Sequence, residues 1–450
     1  MIARIVLLAA LVAAPPGNAV TPGAAPRGGA TPGAAPPTIE LRVISEREVL
    51  TPPEPVDSIT FGEIVAFAGD EAIVTGAVVG RPGVDRGRIA TFVRNDGAWR
   101  PRDASIVVAG IGRRDIALRS VAAGPAVIAA SFHRGASDAG SVLLFQRELV
   151  ESGWALSERL EAPSFESAPE FGGVIATDGA LVAVSEVDPG FSAIARASRP
   201  SSPRVHLYER RVDGWNAIAA IDAPRSRPAP WFGTALAIDG PLVVVGSPKQ
   251  KSPASSEPDA PAPEGAPPSL EPAQVRIHRR SGEAWALDST IAGASVTPWP
   301  GFGTQVAIEG DLLAVTATEE RDGGGSKVFV FRRGGSGWTS EGELVPRNVI
   351  PAGSFGASLA ISRGRVLVGD THALIPGADQ TGLVHGFERI DGRWIETFRL
   401  QPRAPAMPTS FGSHLAVRGD LAIVNRTRSE SRGCPLGGAY LFELPEPSAK

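Results

Sequence analysis

The residues best suited to acid–base or metal chemistry near neutral pH are six histidines: His133, His206, His278, His372, His385 and His414. None forms a His-Glu-x-x-His pair or another close pair of zinc ligands. His206 and His278 read as equivalent places on the third strands of successive repeats, hence as strand-face residues. His133 and His372 fall after second strands, where they would border a binding face. Cys434 is the single cysteine, so no internal disulfide forms. With no histidine nearby in sequence, it reads as a plain thiol rather than a nucleophile. Glu319, Glu320 and Asp322 make an acidic loop that reads as solvated; a cation site would draw on the same residues. Arg418-Gly419-Asp420 spells the adhesion tripeptide RGD, but it coincides with a tight turn that accounts for Gly and Asp unaided. Asn425-Arg426-Thr427 is a glycosylation sequon. There is no nucleophile elbow, Ser-x-x-Lys, P-loop or dinucleotide fingerprint. No catalytic, cofactor-binding or metal residue is therefore assigned from sequence.

The elements that must carry these residues are repeats. Phe-Gly pairs occur at Phe61-Gly62, Phe171-Gly172, Phe232-Gly233, Phe302-Gly303, Phe355-Gly356 and Phe411-Gly412. After each comes an apolar alternation, a tight turn, an apolar run, a variable loop, an alternating strand and a last strand opened by Trp. The interval from Phe61 to Phe171 is about twice the others, so a degenerate copy is expected near Ile116-Ala117, with Gly124 matching Gly69. That makes seven repeats of four strands. A four-stranded sheet that cannot bury both faces alone stacks on copies of itself, and a closed ring is the usual result. The seventh repeat lacks its last strand after 440–444, whereas Glu40 to Leu50 precedes the first Phe-Gly pair as an unclaimed strand. The expectation is an all-β, seven-bladed propeller of four-stranded antiparallel blades, closed by the N-terminal strand completing the last blade.

These Phe-Gly repeats resemble the FG-GAP repeats of bacterial proteins and of integrin α-subunit propellers, over residues 40 to 445. Gly-Ala-Pro-like elements stand at 76–80, 245–248 and 368–370. The family's calcium sites do not carry over, because the Asp-rich loop between the first two strands is replaced by a two-residue turn, as at Gly69-Asp70 or Asp239-Gly240. No cofactor is expected.

The ends and the bulk composition bound the rest. Arg4, the apolar run Ile5 to Ala14 and Gly17-Asn18-Ala19 read as a signal peptide over 1–19. Residues 20–38 repeat TPGAAP and read as a disordered Pro/Gly/Ala linker, with the propeller spanning 39–445. The stretch 247–274 reads as a disordered insertion, and with 186–203 it should leave from one face. Arg far outnumbers Lys, which with the Ala, Gly and Pro content suggests a GC-rich bacterial genome. A net charge of −4 without a basic patch argues against nucleic acid, and no further segment reads as membrane-spanning. The expectation is an exported monomer, periplasmic, extracellular or surface-associated. Its leading function would be a non-enzymatic module binding a protein or glycan. The alternatives are a lyase or hydrolase using the central channel, and an adhesive or structural protein. Polar residues converging at the channel mouth would favour the enzyme; an Ala- and Gly-lined channel would favour the scaffold.

Overall fold

The computed structural model describes residues 40–53, 59–78, 86–102, 106–108, 117–133, 140–147, 153–161, 171–186, 203–224, 229, 231–249, 272–297, 299–319, 325–347, 354–373, 382–403, 410–427 and 437–448. The signal and linker readings lie outside these residues, as do Cys434, Glu320, Asp322 and most of both long loops.

Each repeat folds into one sheet, and there are seven sheets. The fold is a seven-bladed β-propeller. Blade 4 is representative: Ala235–Asp239, Leu242–Ser247, Gln274–Ser281 and Ala284–Ala292 pair in sequence order, all antiparallel. First strands touch first strands around a closed cycle, so they surround the axis. Second strands are sandwiched, and Leu242–Ser247 is buried at every residue. Its alternate side chains feed opposite layers. Val243 and Val245 join the cluster between blades 3 and 4, and Leu242 and Val244 the cluster between blades 4 and 5. One such cluster fills each of the seven blade-to-blade junctions.

The Phe-Gly pair is a packing device at these junctions. Phe302 sits in the layer between blades 4 and 5, edge-on to Phe331 at 6.2 Å, and Phe411 meets Phe442 at 6.0 Å in the same manner. The glycine lets the next strand start hard against the preceding blade. Gly233 has φ +90°, and a Cβ there would lie 2.8 Å from the Ser185 Oγ and 3.2 Å from a Val205 methyl of blade 3. Gly233→Ala should cost about 1–3 kcal/mol in backbone strain alone, with the Ser185 contact added. The denaturant midpoint should fall at unchanged slope; an unchanged midpoint would refute this reading.

The degenerate copy exists but lies slightly later than expected. Leu118 stands opposite Phe132 as Phe61 stands opposite Gly76 and Phe355 opposite Asp370. Only Arg119 then separates it from the next paired residue, Ser120, so the glycine has no counterpart. Gly124 is likewise the last strand residue, paired with Val127, and the turn itself is Pro125-Ala126.

Closure follows the expected route, with one division. Glu48–Leu50 is the outer strand of blade 7, antiparallel to Gly438–Glu443. Arg42–Ser45 instead runs parallel to Arg393–Gln401 and adds a fifth strand to blade 6. The donated strand reproduces an internal one in detail. Glu48 accepts the Trp99 N–H at 3.1 and 3.2 Å, as Glu158 accepts the Trp215 N–H at 3.0 Å. Leu50 and Leu160 are the buried residues two places on.

Candidate site at the channel mouth

The first strands bring polar side chains to both ends of the channel. At one end the tight turns of blades 4 to 7 and 1 are tied to one another. Asp239 accepts the Gly310 N–H at 2.5 Å, and Glu309 accepts the N–H groups of Arg363 and Gly364, both at 3.1 Å. Arg363 and the buried Arg365 pair with Asp420, and Arg418 pairs with Asp70. The RGD tripeptide is thus a link in this belt: both its charged side chains are engaged by neighbouring blades. These groups hold the ring together and leave no nucleophile or base free among them.

The opposite end is where the Phe-Gly pairs lie and where the second-to-third strand loops emerge. Three residues after each Phe, one position recurs opposite the second strand: Val174, Ala235, Gln305, Ser358 and His414, with Ile64 and Ser120 as the counterparts in blades 1 and 2. Small members of this set bond the next blade: the Ser358 Oγ donates to Gly412 O at 2.7 Å, and Ser120 accepts the Ile175 N–H at 3.2 Å. Gln305 and His414 are the exposed members. His414 keeps solvent contact, yet the protein crowded around it removes water and holds its pKa below the ordinary imidazole value. That combination fits a ring lining a narrow wet passage and leaves it a neutral proton acceptor at pH 7. Its backbone is fixed by Asn425, whose Oδ1 accepts the His414 N–H at 2.7 Å and whose Nδ2 donates to Glu63 O of blade 1 at 3.0 Å. Asn425 is fully buried, so the sequon is closed to any modifying enzyme in the folded chain. Glu63 and Arg119 add charge at the starts of blades 1 and 2.

The other histidines serve elsewhere. His385 is fully buried in blade 6, with Nδ1 2.6 Å from Glu396 and Nε2 3.8 Å from Asp370, an ion contact rather than a hydrogen bond. Glu396 also takes Arg399 at 2.6 and 3.0 Å and the Arg347 N–H at 2.5 Å, and Ser354 donates to Asp370 at 2.5 Å. Burial opposes the charge on His385, but Asp370 and Glu396 outweigh it and raise its pKa; burial likewise opposes the two carboxylates, and His385 brings both below their usual range. Ser354 bonds Asp370 and not the imidazole, so no activated nucleophile results. This chain of charges is a core fixture sealed from substrate.

His206 is a smaller version, 2.7 Å from Glu186. His278 is not its counterpart. Counting from the strand bulges, Arg276 matches His206 and His278 matches Tyr208. Burial, then the charge of Arg276, pushes the His278 pKa down to about 4, so it is a neutral ring in an aromatic's place. His372 is exposed beyond Arg365–Asp370, beside Thr371 at 3.1 Å. His133 ends its strand, and Glu319 accepts the Gly325 N–H at 3.3 Å at the edge of the acidic loop. Among the described residues no group of three His, Cys, Asp or Glu converges on a metal position. The sequence reading missed the buried charges. Their signal was an acidic residue at the end of a second strand or just past it, Asp370 or Glu186, with His two places into the third strand.

No family model and no curated protein matches this sequence. Solved structures are similar in fold. The β-propeller domain of the Trilobed protease from Pyrococcus furiosus is 10% identical, covers 86% of this chain and 94% of its own, and superposes with a TM-score of 0.48. A structure from a study of two prolyl endopeptidases is 12% identical, covers 86% of this chain and 50% of its own, with a TM-score of 0.47. The periplasmic gluconolactonase of Pseudomonas aeruginosa is 12% identical, covers 77% and 86%, with a TM-score of 0.44. The expectation of a non-enzymatic module is corrected at this point. Propellers of enzymes stand among the matched folds, and nothing favours a binding module over an enzyme. Both channel mouths carry polar and ionisable side chains.

Proposed function

We propose that this chain is an exported FG-GAP-type propeller that acts as a hydrolase or lyase at the Phe-Gly mouth of its channel, with His414 as the proton-transfer group. The observation that carries this reading is His414: a solvent-reached imidazole whose crowded surroundings keep it neutral. A general base must be in its proton-accepting form at the operating pH, and a lowered pKa keeps the His414 ring in that form. Arg119 is exposed at the start of the first strand of blade 2, on the same mouth. The recurring Phe-Gly geometry supports the FG-GAP label, and the two-residue turns support a variant without that family's calcium loops.

The test is hydrolysis or elimination on panels of aryl esters and uronides, comparing the native chain with His414→Gln. The expected result is kcat/KM rising with pH along an acid limb whose midpoint lies below the ordinary histidine value of about 6.5, and at least about a hundredfold loss in the variant. An active chain whose rate and pH profile survive His414→Gln would overturn the assignment.

A further inference from the structure

Opposite the recurring position three residues after each Phe, the second strand carries Thr75 in blade 1, Ser131 in blade 2, Thr316 in blade 5 and Asn425 in blade 7. The hydroxyl residues use this place in two ways. Thr75 and Ser131 accept the N–H of the residue across from them, Ile64 at 3.0 Å and Ser120 at 3.1 Å. Thr316 donates to a backbone carbonyl of the next blade, Gly356 O at 3.0 Å. Asn425 does both, because an amide holds an acceptor on one side and donors on the other. Its Oδ1 accepts the His414 N–H at 2.7 Å, and its Nδ2 donates to Glu63 O of blade 1 at 3.0 Å and to the Ser413 Oγ at 2.9 Å. These partners fix the orientation of the amide. Turned over, it would set a donor against the His414 N–H and an oxygen against the Glu63 carbonyl. Asn425 is fully buried, so each of these bonds is made away from water.

We propose that Asn425 is the positioning residue of the channel-mouth site: its amide ties the His414 backbone to blade 1 across the junction at which the ring closes, and so sets where the imidazole stands. This rests on the reading of His414 as the proton-transfer group. A base acts only within hydrogen-bond reach of the proton it takes, and a misplacement of about 1 Å costs up to about a hundredfold in rate. The charged groups around His414 are few. Its own strand, Leu415–Arg418, ends in Arg418; Ile59–Ala68 of blade 1 brings Glu63; Leu421–Arg426 brings Arg426, which bonds the Tyr440 hydroxyl at 2.7 Å; Phe355–Ser362 of blade 6 carries no charge. Burial alone lowers the His414 pKa, so the ring senses how tightly it is held.

The experiment uses Asn425→Thr, which installs the residue of blades 1 and 5 and should keep the Tm within a few degrees. It retains an acceptor for the His414 N–H and gives up the Nδ2 bonds. Two measurements follow. Titration of the His414 imidazole by NMR needs no substrate; its midpoint should rise by at least about half a unit toward the ordinary value of about 6.5 as the loosened ring gains water. On any substrate the native chain turns over, kcat should fall at least about tenfold with KM within about twofold. A native His414 midpoint in the folded variant, or a native kcat, overturns the proposal. Should Asn425→Thr fold poorly, Asn425→Ser, the residue of blade 2, is read in the same way. If His414→Gln leaves the rate intact, the proton-transfer reading falls, and the NMR titration still decides whether Asn425 positions the ring.

Discussion

Glu396→Gln should destabilise the protein by about 3–5 kcal/mol, the usual cost of removing one partner from a buried charge network. Glu396 is completely enclosed and faces two cations, His385 and Arg399, as well as a backbone donor from Arg347. The glutamine side chain keeps the shape but removes the charge, and His385 is left with Asp370 at 3.8 Å as its remaining counter-charge. The pH dependence tests the mechanism separately from the magnitude. His385 has a raised pKa, so the stability it contributes is fully present below the unfolded histidine value of about 6.5 and is lost as pH climbs through the folded value. Asp370 and Glu396 have lowered pKa values, so their contribution is present above the unfolded carboxylate range and is lost as pH falls through the folded values. Native stability should therefore be flat between these limits and decline on the alkaline side. In the variant that alkaline decline should still start near the unfolded histidine value but end at lower pH and be smaller in total, because one of the groups raising the His385 pKa is gone. Urea unfolding midpoints across pH 5 to 9 measure both effects. Identical pH profiles for native and variant protein would mean that His385 does not carry the charge assigned to it.

Leu50→Ala should cost about 2–5 kcal/mol, a core-type penalty from a residue outside the internal repeats. Leu50 is 2% exposed and packs with Phe61, Val74 and Leu441 where blade 7 meets blade 1. Leu160 holds the matching place between blades 2 and 3, so Leu160→Ala is the control for an ordinary junction. The two should lose comparable stability if the donated strand is a full structural member. Deleting residues up to Leu50 goes further: it bares the edge of Gly438–Glu443, removes the carboxylate that holds the Trp99 N–H, and opens the ring. Cooperative unfolding should disappear or the chain should self-associate through that edge. A truncated chain that unfolds at the native midpoint as a monomer would show the closure to be dispensable.

The ring was legible in the sequence because its packing is periodic. Phe, Gly and the apolar alternation recur at each junction, and every junction solves the same steric problem: a strand must begin against the buried second strand of its neighbour. Even the closing strand was readable, since Glu48 and Leu50 repeat Glu158 and Leu160. The site was far less legible. His206, His278, His385 and His414 look alike in sequence, yet one pairs with Glu186, one is held neutral with a pKa of about 4, one is locked between two carboxylates, and one meets solvent at the channel. Those differences come from bulges that shift the register by one place and from the blade that packs alongside, neither of which a strand pattern records. The closing segment shows the same division. Its apolar and acidic residues announced a strand, but only the assembled ring decided that Arg42–Ser45 would lie on blade 6 and Glu48–Leu50 on blade 7, because each lies against the partner edge that the finished fold leaves open to it.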